Sequence, residues 1–273
     1  MKKSIRTILN LLLVLVFLFS TGRFLGQQRD NAAGKDAYST ALALASSGNS
    51  ETPPPQTKTA ENPQTELQWV AAPPEGEDPY IRQLEEISLD ALREVNPQVV
   101  GWILIPDTEI SYPLMQGTDN DYYLKRTWDG KRNDVGSIFL EHLSSSDLTD
   151  FHTIIYGHNM KNGSMFAGLQ NYREESYREE HPYVYIRSDD GVFRYEIFSS
   201  YLAKVDSTTY GLAFPDEEAK ALFLGNAIQD SVIQTDVEVA ATDRILTLST
   251  CSGKGYATRW VVHARLKMIQ AQA

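Results

Sequence analysis

The chain has 273 residues, of which 42% are hydrophobic, and this is enough for one domain with a substantial core. Its formal net charge is −11 and no long basic run interrupts its apolar part, so the electrostatic footprint of nucleic-acid binding is absent. The acidic balance favours colloidal solubility and does not indicate a substrate.

The N-terminus has the pattern of an export segment. Three basic residues within the first six positions precede an apolar run over residues 8–19. Because positive residues stay on the cytoplasmic side, we predict a single-pass signal-anchor over residues 1–26, with the rest of the chain outside the cell. The apolar run is shorter than the roughly 20 residues that span a bilayer comfortably, and no clear Ala-x-Ala site follows it. A cleaved signal peptide is therefore the alternative.

Residues 27–78 have the composition of a linker. Ala, Ser, Thr, Pro, Gln and Glu dominate, with consecutive prolines at residues 53–55, and large apolar residues are few. Such a stretch cannot offset its own chain entropy by burial, so we predict a flexible tether. The globular domain is then predicted to cover residues 79–273.

Two helices are predicted within the globular part. Apolar residues recur on one face from Tyr80 to Val95, and the Asn-Pro pair that follows ends the pattern. The second helix is predicted from Asp216 to Gln229, because Pro215 and the acidic residues after it suit the positive end of a helix dipole.

Short apolar runs separated by turn residues make up the remaining pattern. They are enriched in β-branched and aromatic residues, as strands are. These runs cover residues 99–105, 137–140, 153–156, 184–186, 193–198, 244–248 and 260–264. Many short strands predict a β-barrel or a β-sandwich.

Cys251 is the only cysteine in the sequence. A lone thiol cannot form an internal disulfide, so in an exported chain it is either buried and inert or exposed and reactive. Cys251 ends an apolar strand pattern and precedes a polar, Gly-containing stretch over residues 252–255. This position favours exposure and makes nucleophilic chemistry possible.

Thiolate attack on an amide needs a group that manages protons and a donor for the oxyanion. His158 lies in the stretch from Tyr156 to Met160 that directly follows the apolar strand residues ending at Ile155, and strand ends commonly present catalytic groups. Arg259 lies eight positions after Cys251, at the start of the next strand run. A loop between neighbouring strands would bring both side chains to one site, whereas a surface arginine is the alternative. A guanidinium suits an oxyanion because it can donate two hydrogen bonds.

The other four histidines are weaker candidates for the proton-transfer role. His142 and His152 have a polar loop context, and His181 precedes Pro182. His263 sits inside a strand run, so we interpret it as structural or as a surface residue.

Together these motifs resemble those of the sortases, and specifically of class B sortases. The matching stretches are residues 96–103, 110–116, 119–124, 136–140, 153–166 and 247–259, and their order and spacing carry the resemblance. The resemblance implies a mainly β fold with peripheral helices: a closed eight-stranded sortase-type β-barrel with an N-terminal helical region.

The resemblance also implies an activity, that of a membrane-anchored extracellular cysteine transpeptidase of a Gram-positive-type cell. Such an enzyme cleaves a sorting signal of the Asn-Pro-Gln-Thr or Pro-x-Thr-Gly type after Thr. Cys251 would form the thioacyl intermediate, His158 would act as general acid and then as base, and Arg259 would stabilise the oxyanion. The implied partners are surface proteins with a C-terminal sorting signal, a peptidoglycan precursor or cross-bridge amine, and the cytoplasmic membrane. Neither a cofactor nor a metal ion is expected.

Five further residues are candidates for substrate binding by the same resemblance. Asn120 and Leu124 match positions that line the substrate groove in this family. Ser249 and Thr250 lie on the strand that leads to Cys251, and Tyr210 lies in the segment before the later helix, where class B sortases contact the signal. Core packing is the alternative for Leu124, and a loop aromatic is the alternative for Tyr210. Ser252 departs from relatives that carry a charged side chain there, so no specificity is inferred from that position.

Other functions compete with this activity. In papain-type proteases the cysteine precedes the histidine and begins a helix, unlike Cys251, and an exported domain with an inert cysteine would not react with thiol reagents. Pilin polymerisation competes with peptidoglycan anchoring, and hydrolysis competes with transfer. The linker motif over residues 62–65, Asn-Pro-Gln-Thr, is either an internal pseudo-substrate or a chance match in a biased segment.

Overall fold

A computed structural model describes residues 2–47, 78–251 and 257–271. Within these ranges eight strands close into a barrel in the order β1-β2-β3-β4-β7-β8-β6-β5. The strands are β1 (Val99–Leu104), β2 (Ser111–Met115), β3 (Ile138–Leu140), β4 (His152–Gly157), β5 (Tyr183–Ser188), β6 (Gly191–Lys204), β7 (Ile245–Cys251) and β8 (Thr258–Gln270). The closed eight-stranded barrel predicted from the resemblance is confirmed.

Helices decorate the outside of the barrel. They are α1 (Lys2–Ser47), α2 (Pro79–Glu85), α3 (Leu89–Arg93), α4 (Glu175–Glu180) and α5 (Glu217–Gln229). Short 3-10 helices cover Tyr122–Lys125, Ala167–Arg173 and Thr208–Tyr210. Side chains from the inner faces of the strands fill the barrel, as Ile155, Leu248 and Val262 do with no exposed surface.

All seven predicted strand runs are strands, whereas β2 was missed because Pro113 lies at its centre. The single helix predicted from Tyr80 to Val95 is wrong. It is two helices, since the Ser88 hydroxyl accepts a hydrogen bond from Ala91 N (3.2 Å) and begins α3 as its N-cap. The later helix is confirmed, and Asp216 is its N-cap, accepting from Ala219 N (2.8 Å).

Two of the strand pairs bring the ends of three strands together at one edge of the barrel. β4 and β7 run parallel, with Gly157 aligned with Thr250. β7 and β8 run antiparallel, with Cys251 opposite Arg259. Residues at the ends of β4 and β7 and at the start of β8 therefore share one rim.

Two histidines are structural and lie away from this rim. His152 and His263 are 2% and 0% exposed, and each forms a hydrogen bond with the Thr247 hydroxyl (2.6 and 2.8 Å). Burial lowers the pKa of His152 to about 4 and that of His263 to about 3. The structural interpretation of His263 is confirmed, but the polar loop assigned to His152 is wrong, because this residue begins the buried strand β4.

The flexible tether predicted from residue 27 is wrong for its first part. Residues 27–47 continue helix α1, and Ala41 and Ala45 are completely buried against the domain. The small alanine side chains allow a close approach, and the Trp128 indole donates to the carbonyl of Ala37 (2.8 Å). Residues 48–77, with the Asn-Pro-Gln-Thr motif at 62–65, lie outside the described residues.

Helix α1 exposes apolar side chains over residues 12–19, each between 53% and 69% exposed. Among the helices that the structure describes, none combines the length and the hydropathy needed to cross a membrane.

Candidate active site

The rim residues converge on one cavity of about 300 Å³. All eight residues predicted from the sequence line it. Among the residues that the structure describes, the lining consists of Asn120, Leu124, Phe139, Tyr156, Gly157, His158, Val205, Tyr210, Ser249, Thr250, Cys251 and Arg259. The barrel topology therefore assembles side chains that lie up to 139 positions apart in the sequence.

His158 follows the last residue of β4 and is fixed along one edge of its ring. Its Nε2 lies 2.7 Å from the carbonyl oxygen of Leu124 and donates to it, because a carbonyl can only accept. Gly136 lies beside the same edge of the ring. A Cβ added to Gly136 would lie only 2.7 Å from His158 Cδ2. The Nδ1 edge of the ring is therefore the one left for the thiol of Cys251.

The thiol and the imidazole change each other's protonation. A hydrogen bond with His158 lowers the pKa of Cys251, and the positive charge of Arg259 contributes in the same direction against the effect of burial. The pKa of His158 is raised, first by the hydrogen bond with Cys251 and then by the Leu124 carbonyl. Both shifts favour a thiolate beside an imidazolium.

Arg259 reaches this pair from the neighbouring strand. It is directly opposite Cys251 in the β7–β8 ladder, and its Nη1 donates to the carbonyl of Thr258 (3.0 Å). A guanidinium near a thiolate nucleophile is well placed to bind an oxyanion that develops on the attacked carbonyl.

Aromatic and hydroxyl groups complete the cavity wall. Tyr210 stacks on Tyr156 with ring centroids 6.5 Å apart and an interplanar angle of 13°. The Tyr210 hydroxyl forms a 3.0 Å hydrogen bond with the Ser249 hydroxyl. Leu124 is half-buried and lines the cavity, so it is not simply a core residue.

The comparisons with known proteins agree with this geometry. Residues 103–267 match the family profile described as "Sortase domain". Sortase B of Listeria monocytogenes is 39% identical over 177 residues, which cover 64% of this chain and 72% of that protein. A Staphylococcus aureus sortase B–substrate complex superposes with a TM-score of 0.63 at 30% identity, covering 66% of this chain and 85% of the other. The chain belongs to the sortase family.

Within this family the relatives place the chain in class B, as a cysteine transpeptidase. A crystal structure of sortase B complexed with triglycine is similar as well, with a TM-score of 0.63 and 30% identity over 66% of this chain and 86% of the other. The family resemblance read from the sequence motifs is thereby confirmed.

Two residues of this sortase that the sequence analysis missed hold the backbone of the thiol-bearing residue. The side-chain amides of Asn159 and Gln170 both donate to the carbonyl oxygen of Cys251, at 2.9 and 3.2 Å. Gln170 lies 81 positions before Cys251, on a 3-10 helix, so spacing alone gave no sign of the contact. These amides fix the end of β7.

The lowered pKa of Cys251 in this sortase predicts a distinct pH profile of thiol reactivity. Because the thiolate persists to lower pH, the rate of alkylation by iodoacetamide should have its midpoint below the ordinary thiol pKa of about 8.5. His158→Gln removes the largest cause of the shift and should move the midpoint upward. His181→Gln, at the end of α4, is the matched control and should leave it in place. A midpoint that is the same in the wild type and in His158→Gln contradicts the assigned pair.

Proposed function

We propose that this sortase is a membrane-anchored extracellular enzyme that cleaves a sorting signal after its threonine and transfers the acyl part to a peptidoglycan amine. The observation that supports this most is the Cys251–His158 pair. The pKa of Cys251 is lowered and that of His158 is raised, and both shifts favour the charged forms. Arg259 lies directly opposite Cys251 on the neighbouring strand.

In the first half-reaction the Cys251 thiolate attacks the carbonyl carbon of the threonine. A C–S bond forms while the carbonyl oxygen takes the negative charge, which the Arg259 guanidinium stabilises. The intermediate then collapses as the C–N bond breaks, and His158 gives its proton to the leaving nitrogen. A thioacyl enzyme and a free amine result.

In the second half-reaction an amine attacks the thioacyl carbon, and neutral His158 accepts the proton that this amine loses. The amide forms and the thiolate leaves as the C–S bond breaks. The similar sortase B that was crystallised with triglycine supports an amine of the oligoglycine kind as acceptor.

The signal binds in the cavity beside this pair. Asn120, Leu124, Tyr210, Ser249 and Thr250 line it, and its volume of about 300 Å³ is at the lower end of the range for small-ligand sites. The similar Staphylococcus aureus sortase B was solved as a substrate complex, which supports substrate binding by this chain as well.

The placement outside the cell rests on the N-terminal pattern. Three basic residues precede the apolar segment over residues 12–19, and exposed apolar surface of this extent favours a membrane contact. The functional unit in this proposal includes the part of α1 near residue 30, where the Asn133 side-chain amide donates to the Asp30 carbonyl (3.0 Å).

A peptide panel tests the function directly. The full chain in detergent is mixed with Asn-Pro-Gln-Thr and Pro-x-Thr-Gly peptides, with and without triglycine, and products are identified by mass spectrometry. We expect cleavage after threonine, a ligated product when triglycine is present, and neither in Cys251→Ala. Cleavage at another bond, or cleavage that persists in Cys251→Ala, would overturn the proposed function.

A further inference from the structure

Glu141 is a buried carboxylate beside the cavity that the sequence motifs did not single out. It directly follows β3, and only 5% of its surface is exposed. A buried charge is tolerated when hydrogen bonds and opposite charges surround it, so its partners indicate why it is there.

The partners of Glu141 are groups of the cavity wall and its rim. Oε2 accepts from Asn120 Nδ2 (2.6 Å) and from the Tyr156 hydroxyl (2.9 Å). Oε1 lies 2.7 Å from His142 Nδ1 and 3.4 Å from the backbone N of Leu143. Asn120 and Tyr156 both line the cavity, so one carboxylate oxygen fixes two wall side chains at once.

These hydrogen bonds determine what the wall can still offer a ligand. The Tyr156 proton and one Asn120 N–H are used on Glu141, and Asn120 Oδ1 already accepts from the backbone N of His142 (3.0 Å). The Tyr156 oxygen keeps its lone pairs, and Asn120 keeps one N–H and one lone pair. The wall is therefore rich in acceptors, and an anionic charge lies directly behind it.

Such a wall favours a ligand group that donates hydrogen bonds and disfavours a carboxylate. A carboxylate has no N–H to donate and meets the field of Glu141 at short range in a partly desolvated cavity. Arg259 lines the same cavity and has the reverse effect on a carboxylate close to its guanidinium. The selectivity therefore belongs to the part of the signal that lies against Asn120 and Tyr156.

We propose that Glu141 is a specificity-determining residue that makes the Asn120–Tyr156 wall select a side-chain carboxamide over a carboxylate in the sorting signal. The inference rests on the proposed function for the identity of the substrate, a sorting signal. The selection of a carboxamide rests on the contacts of Glu141.

The test compares matched peptides on wild type and Glu141→Gln. Asn-Pro-Gln-Thr is paired with Asp-Pro-Gln-Thr and with Asn-Pro-Glu-Thr, and kcat/KM is measured for each. The ratio of carboxamide to carboxylate peptide is read within one protein preparation, so a loss of folded enzyme affects both peptides equally. We expect wild type to prefer the carboxamide about tenfold or more at one of the two positions, and Glu141→Gln to reduce that ratio at least about fivefold.

Glu109→Gln is the control variant. It removes the same unit of charge from an exposed carboxylate in the turn between β1 and β2, outside the cavity lining, and should keep the wild-type ratio. The assignment would be overturned if wild type cleaved the carboxamide peptide and both carboxylate peptides with equal kcat/KM. It would also be overturned if the carboxamide-to-carboxylate ratio were the same in wild type and Glu141→Gln.

Binding separates this inference from the proposed function. Fluorescence anisotropy of the labelled peptides is measured on Cys251→Ala and on the Cys251→Ala, Glu141→Gln double variant, and needs no cleavage. A carboxamide preference that falls in the double variant supports the role of Glu141 even if no peptide is cleaved. A preference that stays unchanged contradicts that role even if the enzyme is active.

Discussion

Replacing Arg259 by alanine is expected to lower kcat/KM for the cleaved peptide about 100- to 1,000-fold, the usual effect of removing an oxyanion donor. The reason is the position of Arg259 opposite Cys251, where its guanidinium can hold the charge that develops on the attacked carbonyl. Arg259→Lys should recover only part of the rate, because an ammonium lacks the planar pair of donors. Steady-state peptide cleavage measures both variants.

Arg82→Ala is the matched control for this experiment. Arg82 lies on α2, its side chain is 54% exposed, and it is outside the cavity lining. Its replacement removes the same charge and should leave kcat/KM within about twofold, because an exposed substitution of this kind changes folding stability by only about 0.5 kcal/mol. If Arg259→Ala were as active as Arg82→Ala, the oxyanion role of Arg259 would be excluded.

Gly136→Ala is expected to reduce kcat/KM about 100-fold, because a catalytic group displaced by about 1 Å loses that much. The added Cβ would lie 2.7 Å from His158 Cδ2 and 2.9 Å from the Leu124 carbonyl oxygen, which are the two atoms that define the imidazole position. The turn cannot retreat freely, since the Tyr38 hydroxyl of α1 donates to the Gly136 carbonyl (2.6 Å). The displaced group is therefore expected to be the histidine.

Gly163→Ala separates this displacement from backbone strain. Both glycines have a positive φ, +66° at Gly136 and +85° at Gly163, but a Cβ at Gly163 would meet nothing within 4 Å. Each variant should lose about 1–2 kcal/mol of stability from the left-handed conformation, and only Gly136→Ala should lose activity. Thermal unfolding and peptide cleavage provide the two readouts. Equal activity of the two variants contradicts the positioning of His158 by this turn.

Much of the site could be predicted because its residues stand at strand ends. Cys251, His158 and Arg259 each border a strong apolar run, and strand boundaries are readable from residue type and turn signals. The parallel pairing of β4 with β7 that unites them is not readable in this way. The order of motifs shared with a family supplied that information.

The remaining parts of the site depend on contacts between distant segments. Glu141 looks like a surface carboxylate in the sequence, and only the folded chain brings the Asn120 amide and the Tyr156 hydroxyl into hydrogen-bond contact with its Oε2. Helix α1 was missed beyond residue 26 because its composition resembles that of a linker. This part of α1 is stabilised by burial of Ala41 and Ala45 against the domain, and local helix propensity does not indicate such burial.

The intact mass of the enzyme after brief mixing with a cleaved sorting peptide shows whether Cys251 is the nucleophile. If Cys251 is the nucleophile, the protein gains the mass of the acyl fragment that ends in threonine, and peptide mapping places it on Cys251. The adduct should disappear when triglycine is added, with the ligated peptide appearing in equal amount. Cleavage and ligation without any adduct in the wild type, or an adduct of the same mass on Cys251→Ala, would exclude Cys251 as the nucleophile.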